Sequence, residues 1–221
     1  MRVRNTFAVL LVCLLFAGSA FAQIKVACMG DSITAGDKLK NRNTQAYPAR
    51  LAELMGGKYD VKNFGASGRT LLREGKESYF TSGRYRQAKD FNADIITLKL
   101  GTNDSKLEYW KRRGEMEKDL NLYIDEFRKA NSKVKIYLCL PVPVYRKTDN
   151  KRLRDKISNE RLKDILPIIR KVAEDRKTGL IDLNTPLLNH PEYFPDGIHP
   201  NEAGALVIAK EIHKALTEKG Q

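Results

Sequence analysis

Short apolar runs alternate with longer amphipathic stretches along most of this chain, and no other feature of the sequence constrains the fold as strongly. The runs are five to seven residues long, which is typical of strands and too short for most helices. Residues 95–100 are almost continuously apolar, as expected of a strand covered on both faces. Strands that alternate with helices predict an α/β sandwich with a parallel sheet.

The pattern places five strands and four long helices. The strands are predicted at residues 24–29, 59–64, 95–100, 134–140 and 179–183. The helices are predicted at residues 46–55, 115–130, 159–174 and 201–218. The 221 residues contain no repeat or linker, and this length suits one domain, which we place at residues 23–221.

The first 22 residues have the organisation of a secretory signal peptide. Arg2 and Arg4 precede an apolar segment at residues 7–16, and the Ala-Phe-Ala sequence at 20–22 fits a cleavage site before Gln23. An uncleaved membrane anchor is the alternative, but a membrane-spanning helix needs ~20 apolar residues. The sequence therefore predicts a secreted or periplasmic protein with no stable membrane anchor after cleavage.

Two cysteines remain after that cleavage, Cys28 and Cys139, and each lies in a predicted strand. Export permits a disulfide. A disulfide nevertheless requires Cα atoms within roughly 7 Å of each other, which two buried positions in different strands need not satisfy. We therefore expect two buried free thiols.

The chain carries a net charge of +13. A basic surface raises the local concentration of anionic partners. The lysines and arginines are scattered, however, and their densest segment at 145–156 is interrupted by Asp149 and Asp155. Zinc-finger spacing and aromatic RNA-binding motifs are absent from the sequence, so nucleic acid is not an expected partner.

Ligands of parallel sheets bind beyond the carboxyl ends of the strands, which directs attention to the loops that follow them. Residues 30–36 (GDSITAG) follow the first strand, and Ser32 lies where a helix would begin. Unpaired N–H groups and the helix dipole favour negative charge there. Phosphate-loop fingerprints are absent, and a simple helix cap by Ser32 is the alternative. The second loop, residues 63–70 (NFGASGRT), offers main-chain N–H groups.

Two further loops carry polar side chains. Asn103, in the GTND sequence at 101–104, offers an amide donor after the third strand, although an Asx turn would also explain it. Asp196 and His199 lie in the DGIHP sequence at 196–200, where Gly197 permits a tight turn. Asp196 would then orient the imidazole while its other nitrogen faces Ser32.

The other two histidines are weaker candidates for a base. His213 falls inside the last predicted helix, and His190 precedes a proline in a loop without an adjacent acidic partner. His199 is therefore the expected base.

With these four loops, the chain resembles the SGNH or GDSL-type esterases and acylhydrolases. The matching blocks are Ser32 in GDSIT, Gly68 in NFGASGRT, Asn103 in GTND, and His199 with Asp196 in DGIHP. The resemblance implies a flavodoxin-like three-layer α/β/α sandwich, which agrees with the five strands that the apolar pattern places in a parallel sheet. It also implies a mechanism without a metal or organic cofactor.

The resemblance further implies a role for each of these residues. Ser32 would be the nucleophile, His199 the base and Asp196 the group that orients the base. The oxyanion would be bound by the N–H groups of Ser32 and Gly68 and by the amide of Asn103. Gly65 is an alternative to Gly68, which we prefer on its spacing from the start of the NFGASGRT block.

The segments between the blocks bear on the substrate. Residues 37–44 and 69–87 are polar, and the second of them, together with residues 109–110, contributes aromatic side chains: Tyr79, Phe80, Tyr85, Tyr109 and Trp110. Polar donors with aromatic surfaces suit a sugar better than a long acyl chain.

The resemblance is closest to secreted carbohydrate O-acetylesterases. The expected partner is therefore a small ester or an acetylated glycan. A lysophospholipase, a thioesterase or a broad short-chain esterase is the alternative. A non-catalytic carbohydrate-binding module on the same scaffold is a more remote one.

Overall fold

A computed structural model describes residues 22–145 and 156–218 of the chain. All but the last residue of the predicted signal peptide lies outside the described residues, as does most of the basic segment at 145–156. Within the described ranges, no helix has the length and apolar character needed to cross a bilayer.

The core of the fold is a five-stranded, all-parallel sheet. Its strands are β1 (Ile24–Gly30), β2 (Tyr59–Gly65), β3 (Ile95–Lys99), β4 (Lys135–Leu140) and β5 (Gly179–Asp182). They are ordered β2-β1-β3-β4-β5, which is the order of flavodoxin-like sheets. The predicted fold class is confirmed, and each strand lies within one residue of its predicted bounds.

Helices cover both faces of this sheet. They are α1 (Ser32–Ala35), α2 (Arg42–Gln45), α3 (Tyr47–Met55), α4 (Gly83–Phe91), α5 (Leu107–Trp110), α6 (Met116–Ala130), α7 (Asn159–Asp175) and α8 (Glu202–Glu218). On one face, α3 and α8 pack against strand residues such as Cys28 and Ile181. On the other face, α4, α6 and α7 pack against residues such as Leu98 and Leu138. All five strands end at the same edge, so the four loops of interest meet there.

Helix α4 was not predicted from the sequence. Only Tyr85 and Ala88 are buried along it, which is too little apolar periodicity to distinguish the segment from a polar loop. Its start is instead fixed by Ser82, whose hydroxyl accepts the Tyr85 N–H at 3.1 Å.

Cys28 and Cys139 are fully buried and unbonded, which confirms the prediction of free thiols. Strand β3 lies between the strands that carry them, and neighbouring strands are ~4.8 Å apart, so the pair lies beyond disulfide reach. Burial raises the pKa of Cys28 to about 12, so this thiol stays protonated and unreactive near neutral pH.

Candidate active site

Ser32 lies at the first position of α1, directly beyond the end of β1. A Cβ atom on Gly30 would come within 2.5 Å of the Lys99 carbonyl oxygen, so the turn from strand to helix requires glycine there. Asp31 is the cap of α1, and its Oδ1 accepts the Ile33 N–H at 3.0 Å. Ser32 therefore does not cap the helix, and its side chain is free for another contact.

That contact is with His199. The Nε2 atom of His199 lies 2.9 Å from Ser32 Oγ, and its Nδ1 atom lies 2.8 Å from Asp196 Oδ2. Gly197, at φ +77°, makes the tight turn that lets Asp196 reach back to the ring. The structure therefore brings Ser32, His199 and Asp196 together in one hydrogen-bonded chain.

The Asp196 carboxylate is fixed by its own turn. Its Oδ1 accepts the N–H groups of His199 at 2.8 Å and of Ile198 at 3.0 Å. Partial burial raises the pKa of Asp196, but these bonds and the contact with the His199 ring outweigh burial and hold the pKa below its usual value. The group is therefore ionised at neutral pH and can stabilise a protonated imidazole.

The expectation that His190 lacks an acidic partner is wrong. The turn at Pro191–Tyr193 brings Glu192 back, so that its Oε1 lies 2.7 Å from His190 Nδ1. This pair is largely exposed, and the Ser32 hydroxyl bonds to His199 instead. Among residues 22–145 and 156–218, no three His, Cys, Asp or Glu side chains come together as a metal-binding set.

The loop after β2 contains the two candidate glycines. The Gly65 N–H already donates to Asn63 Oδ1 at 2.8 Å, and a Cβ atom at Gly65 would come within 2.1 Å of the Ala35 nitrogen. Gly68 adopts φ +76° with open space around it. Its N–H has no acceptor within the part of the chain that the structure describes.

The loop after β3 is tied to this glycine loop. One hydrogen of the Asn103 amide donates to the Arg69 carbonyl at 3.0 Å, directly beside Gly68. The buried Asp104 carboxylate accepts the N–H groups of Leu71 at 2.8 Å and Leu72 at 3.0 Å. Asn103 and Gly68 are thereby brought to the same edge of the sheet.

Burial raises the pKa of Asp104 from 3.8 to about 6, against the effect of its backbone hydrogen bonds. Between these values the folded protein binds more protons than the unfolded chain, so stability falls as pH rises from about 4 to about 6.

The pH dependence of stability tests this effect of Asp104. Between pH 4 and pH 7, we expect the free energy of unfolding of the wild type to fall by up to ~3 kcal/mol more than that of Asp104→Asn. Urea unfolding of both proteins measures this; parallel pH profiles would contradict it.

Sequence reasoning missed Lys99. Its ammonium group is fully buried at the end of β3 and lies 2.9 Å from both carboxylate oxygens of Asp31 and from Thr102 Oγ1. A lysine inside an otherwise apolar strand (IITLKL) was the available signal, because such a residue is rarely fully buried unless it is paired.

The expected aromatic surface for a sugar is wrong for three of its members. Tyr79 and Tyr85 are buried in the core, since the segment after Arg69 folds inward over α6, and Tyr109 is buried in the core from α5. Of the other two aromatics, Phe80 is covered by the Arg73 guanidinium at 3.6 Å, and Trp110 donates to Asp164 at 2.9 Å.

A polar groove borders the glycine loop, and its lining includes none of Ser32, Gly68, Asn103 and His199. It has a volume of about 810 Å³, and its wall includes Ala66 and Ser67, which immediately precede Gly68. Arg42, Asn43 and Arg84 contribute polar groups to the same wall. The groove offers hydrogen-bond partners to a ligand that extends past the glycine loop.

The four blocks lie within a region of the chain that matches a known family. Residues 28–207 match the profile of the GDSL-like lipase/acylhydrolase family. The chain belongs to this family.

One relative of this GDSL-family chain is an acetylxylan esterase from Xylanibacter ruminicola. The two are 37% identical over 211 aligned residues, which cover 87% of this chain and 43% of the relative. The chain therefore spans less than half the length of that relative.

Solved structures share the fold. A carbohydrate acetylesterase from Sinorhizobium meliloti matches with a TM-score of 0.72 at 17% identity, covering 89% of this chain and 100% of that one. The M. smegmatis aryl esterase matches with a TM-score of 0.73 at 16% identity, covering 88% and 99%. At these identities the likeness establishes the fold alone.

Proposed function

We propose that this GDSL-family chain is an exported serine esterase that removes a small acyl group, acetyl in particular, from a carbohydrate. The hydrogen-bonded chain from Ser32 through His199 to Asp196 carries the esterase part of the proposal. Membership of the GDSL-like lipase/acylhydrolase family supports it. Export rests on the signal-like sequence of residues 1–22.

In the proposed reaction, His199 Nε2 accepts the Ser32 proton as Oγ attacks the ester carbonyl carbon. The Asp196 carboxylate stabilises the resulting imidazolium. The imidazolium then gives the proton to the departing alcohol oxygen, which leaves an acyl group on Ser32. A water molecule, deprotonated by His199, releases the acid and restores Ser32.

Three donors are proposed for the oxyanion. The N–H groups of Ser32 and Gly68 have no acceptor among the described residues, and the Asn103 amide has a second hydrogen beyond the one bonded to Arg69. The Gly65 N–H is occupied by Asn63, which favours Gly68 as the glycine of this site. Such donors act by stabilising charge that develops only in the transition state.

The carbohydrate part of the proposal rests on two observations. The relative from Xylanibacter ruminicola is an acetylxylan esterase at 37% identity. The groove beside Ser67 is also lined by polar groups, which suit hydroxyl-rich ligands better than an alkyl chain. A lysophospholipase or a long-chain thioesterase would need an acyl groove, a broad short-chain esterase would need no glycan-binding groove, and a binding module would not need the Ser32–His199 contact.

We expect kcat/KM to fall at least about tenfold from p-nitrophenyl acetate to the octanoate. In an apolar groove each buried CH₂ would instead contribute ~0.8 kcal/mol, and kcat/KM would rise. Acetate release from acetylated xylan, measured against a Ser32→Ala blank, tests whether the alcohol part of the ester is a carbohydrate. A rise toward octanoate favours a lipase, activity on aryl esters without acetate release leaves a generic esterase, and no activity on any ester indicates a binding module.

A further inference from the structure

The most unusual group outside the proposed triad is the buried ion pair beneath it. Lys99 and Asp31 both have side chains with 0% exposure. The ammonium group lies 2.9 Å from Asp31 Oδ1, 2.9 Å from Asp31 Oδ2 and 2.9 Å from Thr102 Oγ1. Three partners match the three donors of a lysine, so its hydrogen bonding is complete.

Stability alone does not explain such a pair. Removing two charges from water costs several kcal/mol per ion, and replacing a buried ion pair with apolar residues is often neutral or stabilising. Burial accordingly lowers the pKa of Lys99, against the attraction of Asp31. The presence of the pair is therefore better explained by the segments that it holds in place.

The pair joins the two loops that carry the proposed nucleophile and the proposed side-chain donor. Asp31 directly precedes Ser32 and also caps α1 through the Ile33 N–H. Thr102 directly precedes Asn103. Lys99 lies opposite Gly30 in the β1–β3 register, so its side chain bridges the ends of these two strands.

We propose that Lys99 and Asp31 are positioning residues that set the distance and orientation of Ser32 relative to Asn103. This inference rests on the proposed esterase function. In the proposed reaction the oxyanion accepts hydrogen bonds from the Ser32 N–H and the Asn103 amide at the same time. The two loops that carry these donors must therefore be held at a fixed distance and orientation. A misplacement of 1 Å at such a site can cost about 10²-fold in rate.

The central test is the double variant Asp31→Asn/Lys99→Met. It removes both charges together, keeps an acceptor to cap α1 and nearly preserves side-chain volume. We expect it to fold with a melting temperature close to that of the wild type. Its kcat for p-nitrophenyl acetate should fall by about 10- to 100-fold, with KM changing by less than about threefold. Lys99→Met alone should also lose stability, because it leaves the Asp31 carboxylate buried without a partner.

Asp182→Asn/Arg170→Met is the control, at an ion pair that is partly exposed. Asp182 likewise accepts N–H groups of the following turn, from Asn184 and Thr185, and pairs with Arg170 at 2.8 Å. This ion pair lies between α7 and β5, so kcat should not change. A fall in kcat in the control as large as in the double variant would overturn the proposal.

A second variant tests the proposal even if the double variant does not fold. Thr102→Val leaves the Lys99–Asp31 ion pair intact and removes only the hydrogen bond from Lys99 to Thr102, the residue before Asn103. We expect kcat to fall about three- to tenfold. The rate of covalent labelling of Ser32 by a fluorophosphonate should fall by a similar factor.

The outcomes separate this inference from the proposed function. Wild-type kcat and labelling rates in a folded double variant, or in Thr102→Val, would overturn the positioning role while leaving the esterase proposal intact. Wild-type protein that neither hydrolyses esters nor reacts with the probe would overturn both.

Discussion

Ser32→Ala is expected to lower kcat for p-nitrophenyl acetate by on the order of 10⁴ to 10⁶. The variant removes the oxygen that lies 2.9 Å from His199 Nε2, and no acyl-enzyme can form without it. The fold should be unaffected, because Asp31 rather than Ser32 caps α1. Activity is measured alongside the melting temperature. A folded variant that keeps a tenth of the activity would remove Ser32 from its proposed role.

His199→Ala provides the companion measurement. It should lose nearly as much activity, and Ser32→Ala/His199→Ala should lose little more than either single variant. The reason is that the nucleophile and its base act as one unit. Losses that multiply would mean that the two side chains act independently, which their hydrogen bond argues against.

Asn103→Ala is expected to lower kcat by roughly 10² to 10³, with a smaller change in KM. The Asn103 amide is proposed to donate a hydrogen bond to the carbonyl oxygen, whose negative charge is largest in the transition state. An effect confined to KM would instead make Asn103 a substrate-binding or turn residue.

Asn103 also donates to the Arg69 carbonyl, so its loss could loosen the glycine loop. Asn131→Ala is the matched control, because the Asn131 amide similarly donates to a main-chain carbonyl, that of Ala93, at 3.1 Å. Asn131 lies before β4, at the opposite edge of the sheet from the site. This control should keep its kcat, which separates loss of a catalytic donor from loss of a loop contact.

The central strands of the sheet were predictable from the sequence because they are buried on both faces. The almost continuously apolar run that forms β3 has sharp ends, and all five strands were located within a residue. The contact between Asp196 and His199 was predictable for a different reason: it lies within four residues and depends only on the turn at Gly197.

What could not be predicted depends on contacts between distant segments. The sequence shows that Tyr79 and Tyr85 are aromatic but not that the segment carrying them folds inward against α6. Lys99 likewise becomes informative only when the β1–β3 register places it beside the end of β1, where it reaches Asp31. The sequence favours Gly68 over Gly65 on spacing alone, and only the structure shows that the Gly65 N–H group is already bonded to Asn63.

The turn that joins Asp196 to His199 has a consequence for how the site assembles during folding. Asp196 and His199 lie three residues apart, and main-chain N–H groups of the same turn hold the Asp196 carboxylate, so the two form a local unit. The contact with Ser32, by contrast, spans 167 residues. Loop-closure entropy therefore has to be overcome for one long-range contact instead of two. Docking of this turn against the start of α1 therefore brings Asp196 and His199 to Ser32 together.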